Sequence, residues 1–266
     1  MLSPSEINQV ASHLGPIRDF KDIKSDGYLV EALVHLWDPI CSAFRLGKKE
    51  MTVTIEKVSG LLNLPIHGTV VIFPFMSNKA EFCHFTGFKE SLIQGFDQSI
   101  DVKFLFDRFA LRDGFERHLG DFSFTSKAMW ERRRLWIYGL VMAGTYLFPR
   151  KDKKIVFKLT KVMFDLFLWI KDRQYSIVST ILADIFVACT TCQRSEKFFH
   201  GSNLVLHMWA TEHFMRRSPI PDSLPMSGYN WIFTHHKRVN GNGLPSNASE
   251  YVDFLKACLI RMLDRF

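Results

Sequence analysis

One short stretch, from Glu50 to Gly68, constrains the fold more than any other part of the sequence. It begins with β-forming residues, and Thr54 then offers a hydroxyl that can cap the N-terminus of a helix. Apolar residues follow at helical spacing, at Ile55, Val58, Leu61 and Leu62. Asn63 suits the left-handed conformation that ends a helix, and Pro65 prevents its continuation. The stretch therefore predicts a strand, a short helix and an abrupt stop.

The order of residues in this stretch resembles the hallmark of the plant mobile domain family, which is also called aminotransferase-like. The matching positions are Glu50, Met51, Thr52, Thr54, Glu56, Val58, Leu61, Leu62, Leu64, Pro65 and Gly68. Lys57, Asn63 and His67 depart from the pattern, where the family usually has an acid, Gly and often Asp. The resemblance continues from Arg134 to Arg217, with family-like Leu147-Phe148-Pro149 and Leu206-His207-Met208-Trp209. Since these signatures are largely apolar, we expect them to be structural.

The periodicity of the chain predicts a mainly α fold, as a single globular multi-helix domain over residues 1–266. One small β-hairpin or short sheet is expected near residues 43–73, with strands at 43–46, 50–54 and 70–73. Residues 1–26 are predicted to be a peripheral N-terminal segment with a short helix at 5–14. Residues 218–248 contain many Pro and Gly and predict a loop-rich connection before a last helix.

Helices are predicted from their apolar periodicity and from residues that cap their N-termini. Four consecutive amphipathic patterns run from Ser126 to Arg216, and the clearest has its first apolar residue at Ile155. Shorter helices are expected at 89–96 and 102–109. The predicted capping residues, besides Thr54, are Asp26, Ser176 and Ser249, and helical patterns are predicted to begin at Ser126 and Asn203.

Composition restricts the cellular compartments and the classes of partner that are expected for this protein. The longest nearly unbroken apolar run, 135–148, is shorter than the roughly 20 residues that cross a bilayer, and no secretory signal is expected. Five irregularly spaced cysteines do not form a disulfide framework, which favours a reducing compartment. The net charge of +7 favours acidic or nucleic-acid partners but says nothing about the fold.

Zinc is the one metal for which the sequence offers candidate ligands. Cys189 and Cys192 have the spacing of a ligand pair, and His200 and His207 follow. However, a second cysteine pair is missing, and the spacings to the two histidines fit no familiar finger. We therefore expect buried cysteines and no metal site. The adjacent His235 and His236 are expected in a solvated loop.

No catalytic residue is predicted, because the motifs of common reactions are missing from the sequence. It contains no nucleophile elbow, phosphate loop, dinucleotide fingerprint or metalloprotease helix. An aminotransferase would need a lysine Schiff base with pyridoxal phosphate, a phosphate cup and a carboxylate for the pyridinium nitrogen. The sequence offers no such set. We therefore expect no cofactor and no enzymatic activity.

Clusters of basic residues are the remaining candidates for binding. They are Arg132, Arg133 and Arg134, then Arg150, Lys151, Lys153 and Lys154, then Arg216 and Arg217, and Lys237 and Arg238. The first two clusters lie at opposite ends of one predicted helix, roughly 30 Å apart. They would bind nucleic acid if they shared one phosphate-tracking face. Solvated helix ends are the favoured alternative, because cations also suit C-terminal dipoles.

The family resemblance carries the functional expectation. Members occur in plant retroelements and DNA transposons and as nuclear host proteins, and the host proteins act with a phosphatase-like partner. The resemblance implies a non-enzymatic nuclear interaction or scaffold module, linked to transposon silencing, gene expression and meristem maintenance or carried by a transposable element. The alternative is a direct DNA- or RNA-binding domain of transposon origin. Weak non-specific nucleic-acid binding is compatible with either, and no membrane partner is expected.

Overall fold

The computed structural model describes residues 2–15, 20, 23–74, 78–168, 175–194, 198–214 and 245–263. The chain divides into two compact units. The first unit comprises Met1–Arg18 and Leu64–Thr180, and the second comprises Asp19–Asn63 and Ile181–Phe266. The expectation of a single domain therefore stays a prediction. The basic pairs at 216–217 and 237–238, the histidines at 235–236 and most of the predicted connection lie outside the described residues.

The predicted mainly α fold is confirmed, since the described residues form twelve α-helices and only short strands. The helices are α1 (Pro4–Leu14), α2 (Gly27–Leu36), α3 (Ile55–Leu62), α4 (Lys79–Thr86), α5 (Glu90–Ile93), α6 (Val102–Phe109), α7 (Gly114–Arg117), α8 (Lys127–Tyr146), α9 (Phe157–Leu168), α10 (Val178–Arg194), α11 (Asn203–Phe214) and α12 (Ala248–Leu263). The strands are β1 (Trp37–Asp38), β2 (Ala43–Leu46), β3 (Lys49–Met51), β4 (Thr69–Val70), β5 (Ser99–Asp101), β6 (Lys154–Val156) and β7 (Tyr175–Ser176).

The strands are spread more widely along the chain than predicted. The predicted hairpin is present, with β2 antiparallel to β3, and β1 adds a third strand on the other side of β2. The segment predicted at 70–73 does not join this sheet, because β4 pairs in parallel with β7. Ile155, predicted to begin a helix, lies instead in β6, which pairs antiparallel with β5. A short apolar run fits either structure, so its periodicity alone could not decide.

The core of the second unit is built from aromatic side chains. Trp37, Phe44 and Trp209 are almost completely buried, and the ring of Phe44 lies 5.0 Å from Trp37 and 5.2 Å from Trp209. These contacts join the three-stranded sheet to α11. The indole nitrogen of Trp37 donates a hydrogen bond to Thr190 on α10 at 3.0 Å, so the sheet is also tied to that helix.

The core of the first unit surrounds α8, which packs against α1, α6 and α9. Close approach of α9 to α8 requires glycine at Gly139, because a Cβ atom there would lie 2.6 Å from the ring of Phe167. Helix α1 is less peripheral than expected from the sequence, since Val10 and Leu14 are buried. A capping box between Ser3 and Glu6 fixes the N-terminus of this helix.

Two of the four predicted helix caps, Asp26 and Thr54, agree with the structure. The carboxylate of Asp26 accepts hydrogen bonds from the backbone of Tyr28 and Leu29, and Thr54 accepts one from Lys57. Ser176 lies two residues before the first residue of α10, where its hydroxyl accepts a hydrogen bond from Val178 N at 3.4 Å. The last helix begins differently, because Asn247 and not Ser249 is its cap, accepting from Glu250 N at 3.0 Å. Ser126 stands at the N-cap of α8 without a capping hydrogen bond from its side chain.

Candidate interaction surfaces

The stretch that resembles the family hallmark forms β3, α3 and the extended segment that follows. Leu61, Leu62 and Leu64 are buried, with exposed fractions of 3%, 0% and 5%. Asn63 adopts the left-handed conformation at φ 49°, as predicted for the helix stop. Pro65 is exposed, and its carbonyl accepts a hydrogen bond from the hydroxyl of Ser176 at 2.8 Å. These contacts serve the fold.

The polar residues of the same stretch make local bonds. Glu50 lies opposite Arg45 in the hairpin, and their side chains form an ion pair at 3.3 Å. The hydroxyl of Thr52 donates to the carbonyl of Ser42 at 2.8 Å. Glu56 accepts hydrogen bonds from its own backbone N–H and from Thr54, which lower the pKa of its carboxyl. Met51 is half-buried, and Gly68 has φ 130°, which favours glycine.

The three adjacent arginines of α8 occupy three different environments. Arg132 is exposed and Arg134 is buried. The guanidinium of Arg133 lies 4.9 Å from the ring of Phe124, and burial lowers its pKa. Because consecutive helical residues point about 100° apart, the three charges cannot share one face. This cluster therefore does not form a continuous surface for tracking phosphates.

Arg134 is tied to the C-terminus of α6 and to α1. Its Nε donates to the carbonyl of Phe109 at 3.0 Å, and its Nη2 donates to that of Ala110 at 3.4 Å. Its Nη1 lies 3.2 Å from the carboxylate of Glu6. The last carbonyls of a helix lack partners within it, and the guanidinium supplies donors for two of them. A signal was available in the sequence, because Arg134 lies between Trp130 and Ile137 on the apolar side of α8.

The second basic cluster forms the turn before β6 and the first residue of that strand. Arg150 binds the carboxylate of Asp152 through two nitrogens, at 3.1 and 3.2 Å, and this contact lowers the pKa of Asp152. Lys154 is half-buried in β6, directly opposite Asp101 of β5. Lys151 and Lys153 are exposed and have no ion-pair partner among the described residues. Two of the four cations of this cluster are thus free for an external anion.

The cysteines and histidines considered for zinc all make contacts within the fold, and the ring of His200 lies 5.2 Å from that of Phe198. Cys189 is fully buried, and burial raises the pKa of its thiol. The Sγ atom of Cys192 lies 3.0 Å from the carbonyl of Phe198. His207 is engaged through its Nδ1 atom, which accepts a hydrogen bond from the backbone of Asp26 at 3.2 Å. Within the described residues, no group of three or more metal-ligating side chains is arranged to hold an ion.

A polar cluster that the sequence analysis missed joins three helices of the second unit. Asp26 caps α2 with one carboxylate oxygen and accepts a hydrogen bond from the Tyr251 hydroxyl on α12 with the other, at 2.6 Å. His207 on α11 completes the cluster. Burial and the neighbouring carboxylate of Asp26 raise the pKa of Tyr251. The partners of Asp26 are 181 and 225 residues away in sequence, so no local signal could have indicated them.

The protein is thus mainly α, and the polar side chains of the clusters described above largely stabilise its own helices and strands. A family model described as plant mobile domain matches residues 16–259. The chain therefore belongs to the plant mobile domain family, as its sequence predicted. No curated protein and no solved structure matches the chain significantly. No helix among the described residues is long and apolar enough to span a membrane.

Proposed function

We propose that this protein is a non-enzymatic nuclear interaction or scaffold module, with a phosphatase-like nuclear protein as its partner. The module would be linked to transposon silencing, gene expression and meristem maintenance, or it would be encoded by a transposable element that carries it. The observation that carries this proposal is the family match over residues 16–259. The match supports this role through family membership alone, because the residues that carry the resemblance are mostly apolar and serve the fold.

The contacts of the reactive side chains support a role without chemistry. A catalytic base or nucleophile needs a pKa near the working pH and access to substrate. Cys189 has the opposite properties, since it is fully buried and its pKa is raised. The Nδ1 atom of His207 accepts a hydrogen bond from the backbone N–H of Asp26. Tyr251 is fully buried, and its hydroxyl donates a hydrogen bond to the carboxylate of Asp26.

The second candidate function, direct nucleic-acid binding, is favoured by one observation. Arg132, Lys151 and Lys153 are exposed on the first unit, and none of them has an ion-pair partner among the described residues. Exposed cations without partners can neutralise phosphates and release counterions. Their small number supports weak binding without sequence preference, which would assist the scaffold role without replacing it.

A pull-down from plant nuclei separates the two candidate functions. Tagged protein is incubated with nuclear extract, with and without nuclease, and captured proteins are identified by mass spectrometry. We expect a phosphatase-like protein in both samples, and also with a variant carrying Arg132→Glu, Lys151→Glu and Lys153→Glu. These side chains are exposed, so the substitutions should preserve the fold. Capture that disappears with nuclease or in this variant would favour nucleic-acid binding.

A further inference from the structure

The pairing of β4 with β7 leaves the other edge of β4 without a strand. Within the described part of the chain, β7 is the only strand that pairs with β4. The N–H of Val71 donates to the carbonyl of Ser176, so the backbone of Val71 faces β7. Because successive residues of a strand direct their backbone groups to opposite sides, the N–H and C=O groups of Val70 and Ile72 face away from β7. We call these groups the β4 edge.

The side chains at the β4 edge are apolar and exposed. Val70 and Ile72 are 44% and 72% exposed, whereas Val71 between them is 4% exposed. Edge strands usually carry charged residues that prevent pairing with another chain, but residues 66–74 contain no Lys, Arg, Asp or Glu. Pro74 lacks an N–H and therefore ends any pairing beyond Ile72. The β4 edge is thus open to a further strand at Val70 and Ile72.

The pair of β4 and β7 is also too small to be a stable sheet by itself. Each strand has two residues, and the two strands are parallel. Two-stranded ribbons are marginally stable, and parallel sheets are normally larger and covered on both faces. The hydroxyls of Ser176 and Thr180 bind the carbonyls of Pro65 and Val71 and so hold β4 in place. A third strand at the β4 edge would add the pairing that this sheet lacks.

The sequence of the β4 edge is complementary to itself. When two copies of the segment lie antiparallel about a two-fold axis at Val71, Val70 of each copy lies opposite Ile72 of the other. In this register each such pair exchanges both of its N–H···O bonds, because the backbone groups of Val70 and Ile72 already face outward. The two β-branched side chains of each pair then lie about 5 Å apart, which is a favourable cross-strand contact. No charged side chain opposes this approach.

We propose that the β4 edge is the contact through which two copies of this chain form a weak homodimer, with their β4 strands antiparallel in one continuous sheet. Only two side chains of each copy enter the contact, so it buries less than the roughly 1,000 Å² of a stable interface. Each copy carries a net charge of +7, whereas the contact is uncharged. Association should therefore strengthen as salt screens the repulsion between copies. The homodimer depends neither on the nuclear role nor on a phosphatase-like partner.

Sedimentation velocity of the full-length protein, over a concentration series at low and at high salt, tests this proposal. The sedimentation coefficient should rise with protein concentration, and more steeply at high salt. Ile72→Lys should weaken the association at least about tenfold, because a lysine at a strand edge disfavours pairing. Ile40→Lys is the matched control, since Ile40 is 93% exposed in the second unit and the change is chemically identical. It should leave the association unchanged.

A mixture of two variants tests the register. Val70→Glu alone should associate as weakly as Ile72→Lys, but an equimolar mixture of the two should associate, because the introduced carboxylate of one copy lies opposite the introduced ammonium of the other. Both positions are exposed, and circular dichroism checks that each variant keeps the fold. A mixture that associates no better than either variant alone would overturn the proposed pairing.

Hydrogen exchange of the wild-type protein gives a measurement that needs no variant. The amides of Val70 and Ile72 should exchange more slowly as protein concentration rises, because they are bonded only in the homodimer. The proposal is overturned if the wild-type protein remains a monomer at millimolar concentration and high salt, which would leave the β4 edge to a strand of another protein. It is also overturned if Ile40→Lys weakens the association as much as Ile72→Lys does.

Discussion

Three contacts hold the guanidinium of Arg134 in the core, although the sequence suggests that this residue could bind an external anion. The guanidinium satisfies the carbonyls of Phe109 and Ala110 and pairs with Glu6. Two positions earlier on the same helix, Arg132 is exposed. Chemically identical neighbours therefore differ in role because of the helical rotation between them.

This difference predicts unequal effects on stability. Arg134→Met should lower the free energy of unfolding by about 3 kcal/mol, because it leaves buried carbonyls and a carboxylate without their donor. Arg132→Met is the matched control and should change it by less than about 0.5 kcal/mol. Urea denaturation of both variants measures the two values. Equal effects would show that the contacts of Arg134 contribute little.

At the scale of elements, local chemistry was predictable from the sequence and long-range pairing was not. The caps at Asp26 and Thr54 and the left-handed Asn63 depend on neighbours within a few residues, and the structure has them as predicted. The pairing of β4 with β7 joins positions 69 and 175, so no local pattern could indicate it. Arg134 combines both cases, because its place on the apolar side of α8 was visible in the sequence, whereas its ion-pair partner Glu6 lies 128 residues away.

The contact between α12 and α2 predicts a dependence of stability on alkaline pH. Burial and Asp26 raise the pKa of Tyr251 above its usual value of 10.0. A raised pKa in the folded state contributes stability that is complete below about pH 10 and is lost as pH rises toward the folded value. The wild-type protein should therefore lose more stability between pH 9 and 11.5 than Tyr251→Phe does.

Urea midpoints for both proteins, measured at several pH values, give the comparison. Titrations of lysine and of the other tyrosines are common to both proteins and cancel in the difference. Tyr28→Phe is the control and should keep the wild-type dependence, because Tyr28 is exposed. Equal losses of stability with pH in the wild-type protein and in Tyr251→Phe would show that Tyr251 is not the cause of the pH dependence.

At the scale of the whole molecule, the net charge of +7 overstates the charge that a nucleic acid can use. Arg134 is buried in an ion pair and Arg150 is bound to Asp152. If Arg132, Lys151 and Lys153 each neutralise one phosphate, log affinity for duplex DNA should fall against log salt with a slope near −2.7, at about −0.9 per contact. We expect weak, sequence-independent binding at low salt that largely disappears near physiological ionic strength.

Fluorescence anisotropy over a salt series measures this slope. The triple charge reversal of Arg132, Lys151 and Lys153 should abolish the binding. A control with the same change in net charge reverses Lys24, Lys48 and Lys256, which are exposed cations of the second unit, and should retain most of it. Nanomolar, sequence-selective binding at physiological salt would make nucleic-acid recognition the principal function.

The small parallel pair of β4 and β7 has a consequence for how the first unit folds. The hydroxyls of Ser176 and Thr180 bind the carbonyls of Pro65 and Val71, across 111 and 109 residues of sequence. Closing loops of that length has a length-dependent entropic cost of about 4 kcal/mol, which must be met before the pairing stabilises anything. Helical contacts between near neighbours form much faster. The β-prone segment from Thr69 to Phe73 should therefore remain unpaired late into folding, when it is most exposed to association with other nascent chains.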